Sequence, residues 1–164
     1  MSMFEDNNYR WRETFLVLFD AKKRPTLDGV AKTITALNER FELTNRSNDD
    51  RGMFDSLTVV SADDFAALDI CYIGGEEVLE QGAALVEDMK KLDAGCKTPV
   101  PWERIQRYDG RFDVLHFERV SEDAADDSEE ELLDPSALLV VLEALARLTG
   151  GVAIDPQTGT FLTD

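Results

Sequence analysis

The hydrophobic pattern near the start of the chain predicts a buried strand followed by a helix. The segment WRETFLVLFD, from Trp11 to Asp20, places apolar side chains at both alternating sets of positions. Because strand residues alternate between the two faces of a sheet, this strand should be covered on both faces. From Thr26 to Phe41, apolar residues recur every three or four positions, which predicts an amphipathic helix with Thr26 as its N-cap.

The middle of the chain predicts a strand hairpin, a second helix and a fourth strand. The polar segment TNRSNDDRG, residues 44–52, breaks the hydrophobic pattern. SLTVVS at 56–61 and ALDICYI at 67–73 are rich in β-branched residues and are joined by a short connection, which predicts a hairpin. Helical spacing then runs through 76–92, and the alternating segment RFDVLHFERV at 111–120 predicts the fourth strand.

The C-terminal part predicts a third helix and a terminal hairpin. Asp134 and Pro135 are typical of a helix start, and Gly150 is typical of a helix stop. Between them, apolar residues nearly encircle the helix, so this helix needs cover on more than one side. The segment VAIDPQTGTFL, residues 152–162, has turn-forming residues at hairpin spacing.

This order of elements predicts an α+β fold in a single domain over residues 1–164. The first six elements match the ferredoxin-like β-α-β-β-α-β arrangement, with its helices on one sheet face, and a C-terminal helix and β-hairpin extend it. The second face of such a sheet would then be covered by the third helix, by the terminal hairpin or by a second copy of the chain.

Two blocks at the ends of the chain, WRETFLVLFDAKKRPTL and LTGGVAIDPQTGTFL, resemble stretches of bacterial conserved hypothetical proteins of unknown function. The resemblance covers those two blocks. It implies no activity for any residue.

The charge of the chain argues against nucleic acid and membranes as partners. With 34 acidic and 17 basic residues the formal net charge is −17, which repels phosphate backbones and anionic lipids. Eight carboxylates lie between residues 122 and 134 without the spacing of a calcium-binding loop. We therefore interpret residues 121–134 as an acidic flexible loop and predict no metal site and no cofactor.

Several features indicate a cytoplasmic protein. The first residues, MSMFEDNNYRWRE, lack the basic and apolar regions of a secretory signal. No apolar run approaches the ~20 residues that are needed to cross a bilayer. Cys71 and Cys96 lack close spacing, which favours free thiols in a reducing compartment.

One compact basic cluster is a candidate site for a small anion. Lys22, Lys23 and Arg24 directly precede the first helix, whose free backbone amides and Thr26 lie at its N-terminus. The competing interpretation is a solvated turn between a strand and a helix.

The residue types needed for catalysis are sparse. His116 is the only histidine, so a site with several histidine ligands is excluded, and on its strand it is expected to be a neutral structural imidazole. Cys71 lies inside an apolar strand and is expected to pack as a small buried hydrophobe.

The sequence therefore favours a non-enzymatic protein-interaction or dimerisation domain. The predicted interface is the third helix, through Leu138, Leu139, Leu142 and Leu145. The alternative is a small hydrolase or an anion- or ligand-binding domain whose carboxylates converge only in the fold. A pocket lined by several acids together with His116 would favour that alternative.

Overall fold

In the part of the chain that the structure describes, one antiparallel sheet of seven strands is covered by three α-helices. This computed structural model describes residues 9–61, 66–92, 105–119, 136–155 and 160–161. In chain order the elements are β1 Tyr9–Phe19, α1 Leu27–Leu37, β2 Glu42–Asn48, β3 Phe54–Ser61, β4 Ala66–Gly74, α2 Glu76–Leu92, β5 Gly110–Arg119, α3 Ser136–Thr149, β6 Val152–Asp155 and β7 Thr160–Phe161. The predicted α+β class is confirmed.

The order of strands in the sheet is β2-β3-β4-β5-β1-β6-β7, and every neighbouring pair is antiparallel. A ferredoxin-like sheet would place the first strand between the third and fourth predicted strands, but these strands, β4 and β5, pair with each other. The prediction of a ferredoxin-like order is therefore wrong. The physical reason is that β5 pairs antiparallel along the whole of β4, from Ala66↔Glu118 to Gly74↔Gly110, so β1 cannot lie between them. At the end of this ladder the Gly75 N–H donates to the Asp109 carbonyl at 2.9 Å and joins the end of β4 to the start of β5.

Strand β2 lies in the segment that the sequence pattern presents as a polar break. Its residues are almost all exposed, and it forms one edge of the sheet by pairing with β3. The register shifts between Thr44 and Ser47, and Asn45 there has a φ of 51°, a left-handed conformation that asparagine tolerates better than most residues. An edge strand needs little apolar character, because backbone pairing with β3 holds it in place, and Leu43 adds one contact with the core.

Strand β1 is buried on both faces, as predicted. Phe15, Val17 and Phe19 contribute to the core of one face, which we call the first face, and α1 and α3 cover it. Leu18 points to the second face and packs with residues of α2 and β6. The expectation that α1 and α2 share one face, with α3 as a candidate to cover the other, is therefore wrong: α2 covers the second face and α3 packs beside α1 on the first.

The ends of the helices follow the local signals in the sequence. The Thr26 hydroxyl accepts a hydrogen bond from the Gly29 N–H at 3.0 Å, which confirms Thr26 as the N-cap of α1. Gly150 follows α3 with a φ of 68°, which confirms it as the helix stop. Strands β6 and β7 pair antiparallel, so the terminal hairpin is confirmed as well. The predicted acidic loop at 121–134 lies outside the described residues.

Candidate functional site

The basic cluster lies in a short turn between β1 and α1. Lys22 and Lys23 belong to a 3-10 turn, Ala21–Lys23, and both side chains are exposed. The Asp20 carboxylate accepts a hydrogen bond from the Lys22 N–H at 3.0 Å and caps this turn. The two lysines are thus placed on the surface beside the start of α1.

Arg24 is largely buried and is bound within the protein. Its Nε and Nη2 donate to the Phe54 carbonyl at 2.9 and 2.7 Å. Its guanidinium also pairs with Asp49 at 3.2 Å and with Asp55 at 2.7 Å. The guanidinium carbon lies 4.1 Å from the centre of the Tyr72 ring, a cation–π contact. Arg24 therefore ties the turn before α1 to the β2–β3 hairpin and to β4.

Asp49 and Asp55 occupy positions on Arg24 that an external anion would otherwise take. The pKa of Asp49 is lowered, chiefly because its carboxylate accepts a hydrogen bond from the Met53 N–H. Burial opposes this effect, but a second hydrogen bond from the Arg51 N–H and the charges of Arg24 and Arg51 lower the pKa further. The Thr26 hydroxyl is engaged as the cap of α1. Anion binding at this cluster stays a prediction, and it now depends on Lys22 and Lys23.

His116 has Glu13 beside it, but the strand aspartates Asp69 and Asp113 lie on the opposite face of the sheet. His116 is buried on the first face, opposite Leu68 on β4, and its Nδ1 lies 3.4 Å from a carboxylate oxygen of Glu13. Because side chains alternate between the faces along a strand, Asp69 on β4 and Asp113 on β5 lie on the second face. The convergence of acids with His116 that would favour a hydrolase is therefore not formed by these residues.

A row of polar side chains crosses the second face of the sheet. The Thr58 hydroxyl donates to the Asp69 carboxylate at 2.5 Å and accepts from the Asn45 amide at 3.2 Å. Cys71 lies in this row and is half-buried, so the prediction that it packs as a buried hydrophobe is wrong. Leu68, Ile70 and Tyr72 of β4 point to the first face. The cross-strand partners of Cys71 are Ser56 and Asp113, which leaves Cys71 beside polar neighbours.

The surroundings of Cys71 do not favour a nucleophilic thiolate. Burial raises the pKa of the Cys71 thiol, and the negative charges of Asp69 and Asp113 raise it further. Reactive cysteines need the opposite environment, in which positive charges stabilise the thiolate.

A small open cavity lies between α2 and the second face. Its volume is about 270 Å³, and its lining residues are Leu16, Leu18, Gln81, Gly82, Ala84, Leu85, Asp88 and Arg111. Arg111 borders the cavity and is held by Asp113, at 2.7 Å from its Nε, and by the side-chain oxygen of Gln81. One carboxylate in a mainly apolar lining does not make an acid–base pair.

Helix α3 divides the predicted interface residues between core and surface. Leu138, Leu142 and Leu145 are buried against the first face, whereas Leu139 is 44% exposed. Val140 and Leu148, which were not predicted as interface residues, are 41% and 37% exposed. Helical spacing alone could have indicated them, because Val140, Ala144 and Leu148 follow one another at four-residue steps along the helix surface.

Replacing Arg24 tests its role as a structural tie. Arg24→Met should lower the free energy of unfolding by about 2 kcal/mol, since it removes charge-assisted hydrogen bonds and leaves two acids close together. Lys22→Met, on an exposed side chain of the same cluster, should change it by less than about 0.5 kcal/mol. Urea unfolding measures the free energy of unfolding of both variants, and equal losses would contradict the structural role of Arg24.

The reactivity of Cys71 tests the raised pKa. In a Cys96→Ser background at about pH 8, the folded protein should react with iodoacetamide roughly tenfold more slowly than the same chain in concentrated urea. Burial and the two neighbouring carboxylates both keep the thiol protonated. A folded protein that reacts faster than the unfolded chain would point to an activated cysteine instead.

The described residues contain neither a candidate metal-ligand cluster nor a helix that could span a membrane. Among the residues described, no three histidine, cysteine or acidic side chains come together in a way that could hold a metal ion. No helix in this part of the chain is long and apolar enough to cross a membrane.

No model of a known protein family, no curated protein and no solved structure significantly matches the chain.

Proposed function

We propose that this protein is a non-enzymatic protein-interaction domain of the cytoplasm that forms a homodimer. The observation that supports this function best is the exposed apolar surface of α3. Leu139, Val140 and Leu148 are each more than a third exposed on a helix whose opposite side is fully packed into the core.

The exposed residues form a continuous surface. We define the α3 outer face as the exposed and half-buried residues of this helix that point away from the sheet: Leu139, Val140, Glu143, Ala144, Arg147 and Leu148. Within it Val140, Ala144 and Leu148 adjoin one another at four-residue spacing, while Leu139 lies on the far flank beyond Glu143 and Arg147. Adjoining apolar residues at a surface are typical of protein-interaction sites, whereas single exposed apolar residues are ordinary. Its burial would contribute roughly 25 cal/mol per Å² of apolar area before the costs of association.

The hydrolase alternative receives less support from the same geometry. His116 lies on the first face, Asp69 and Asp113 lie on the second, and Cys71 has a raised pKa. The cavity beside Arg111 has one carboxylate in its lining, that of Asp88, and so offers no pair of carboxylates for acid–base catalysis. A free, half-buried Cys71 also fits the reducing conditions of the cytoplasm.

The mass of the protein in solution tests the proposal. Size-exclusion chromatography coupled to light scattering should give twice the chain mass at micromolar concentration and physiological salt. Because each copy carries a net charge of −17, added salt should screen the repulsion and tighten the dimer. A monomer mass at every salt concentration and every protein concentration tested would contradict the proposed homodimer.

A further inference from the structure

We infer that two copies of the chain associate through their α3 outer faces, antiparallel, across a two-fold axis that passes close to Ala144. This inference rests on the proposed homodimer and names its interface. Three observations support it: the spacing of the apolar residues, the placement of the charged pair, and the charge of the surrounding chain.

Three apolar residues of the α3 outer face have a self-complementary order, whereas Leu139 lies on its other flank. Val140, Ala144 and Leu148 are spaced four residues apart, so they form one ridge along the helix surface. Rotation about an axis at Ala144 places Leu148 of one copy against Val140 of the other. The small Ala144 at the centre lets the two helices approach to the distance of about 8–10 Å that is usual for packed helices.

The charged residues beside this ridge are also self-complementary. Glu143 and Arg147 form an ion pair at 2.5 Å within the helix, and both side chains are more than half exposed. A two-fold axis perpendicular to the helices keeps residues on the same flank, so Arg147 of each copy comes within reach of Glu143 of the other. A closed two-fold interface requires this kind of reciprocity.

The charge of the α3 outer face differs from that of the whole chain. With one acid and one base, this face is neutral, whereas the chain carries a net charge of −17. Arg147 is the only basic residue after Arg119. Two copies that associate through this face therefore repel each other less than two copies that associate through an acidic surface. A strongly basic partner would find little complementary charge on this face, so a second copy fits better.

The size of the surface sets the strength of the association. Three apolar side chains per copy and one charged pair indicate an interface below about 1,200 Å², the range of weak and transient complexes. We therefore expect a dimer that forms at micromolar concentrations and dissociates on dilution.

Cross-linking at the axis tests the geometry. In a Cys71→Ser/Cys96→Ser background, Ala144→Cys should form an intermolecular disulfide under mild oxidation, because a two-fold axis brings the two cysteines together within the ~7 Å between Cα atoms that a disulfide allows. Lys32→Cys, at an exposed position of α1, is the matched control and should stay monomeric under the same conditions.

A pair of charge reversals tests the reciprocity. Glu143→Arg and Arg147→Glu each place like charges across the axis, so each variant alone should dimerise about tenfold more weakly than the original chain. When the two variants are mixed, opposite charges face each other again and a heterodimer should form. Analytical ultracentrifugation of each variant and of the mixture measures this, and circular dichroism confirms that each variant is folded.

The outcomes separate this inference from the proposed function. A monomeric original chain would overturn the homodimer itself. A dimeric original chain that fails to cross-link through Ala144→Cys, and whose two charge variants still dimerise with unchanged affinity, would overturn the α3 interface and leave the homodimer standing. Cross-linking together with recovery in the mixture supports the two-fold arrangement.

Discussion

The burial of β1 on both faces is the constraint on which the rest of the structure depends. Phe15, Val17 and Phe19 need cover on the first face, and Leu18 needs cover on the second. A single helical layer cannot supply both, so α2 packs on one side and α1 with α3 on the other. Because α1 and the sheet bury only one side of α3, the apolar residues on its other side are left at the surface.

The sequence predicted the elements whose signals are local, and it failed where distant contacts decide. The alternation in β1, the cap at Thr26 and the stop at Gly150 each depend on a few neighbouring residues. The order of the strands depends instead on where β5 docks, and its partners β4 and β1 are distant from it in the chain. Strand β2 was missed because an exposed edge strand lacks the apolar alternation that identifies buried strands.

The candidate sites show the same division between local and distant information. The sequence placed Lys22, Lys23 and Arg24 together, but the acids that bind Arg24 are 25 and 31 residues away in the chain. No local pattern could therefore have separated Arg24 from its two exposed neighbours. For α3, periodicity identified an apolar helix, but which leucines are buried depends on the packing of α1 and β1 against it.

The most direct test of the dimer interface compares two adjacent valines of α3, Val140 and Val141, by NMR. Val140 is on the α3 outer face, and Val141 is fully buried in the core of the same copy. In methyl NMR spectra recorded over a dilution series, the Val140 and Leu148 signals should shift together with one dissociation constant, while those of Val141 stay constant. Signals of Val140 and Leu148 that do not move with concentration, while light scattering shows a dimer dissociating, would contradict the interface.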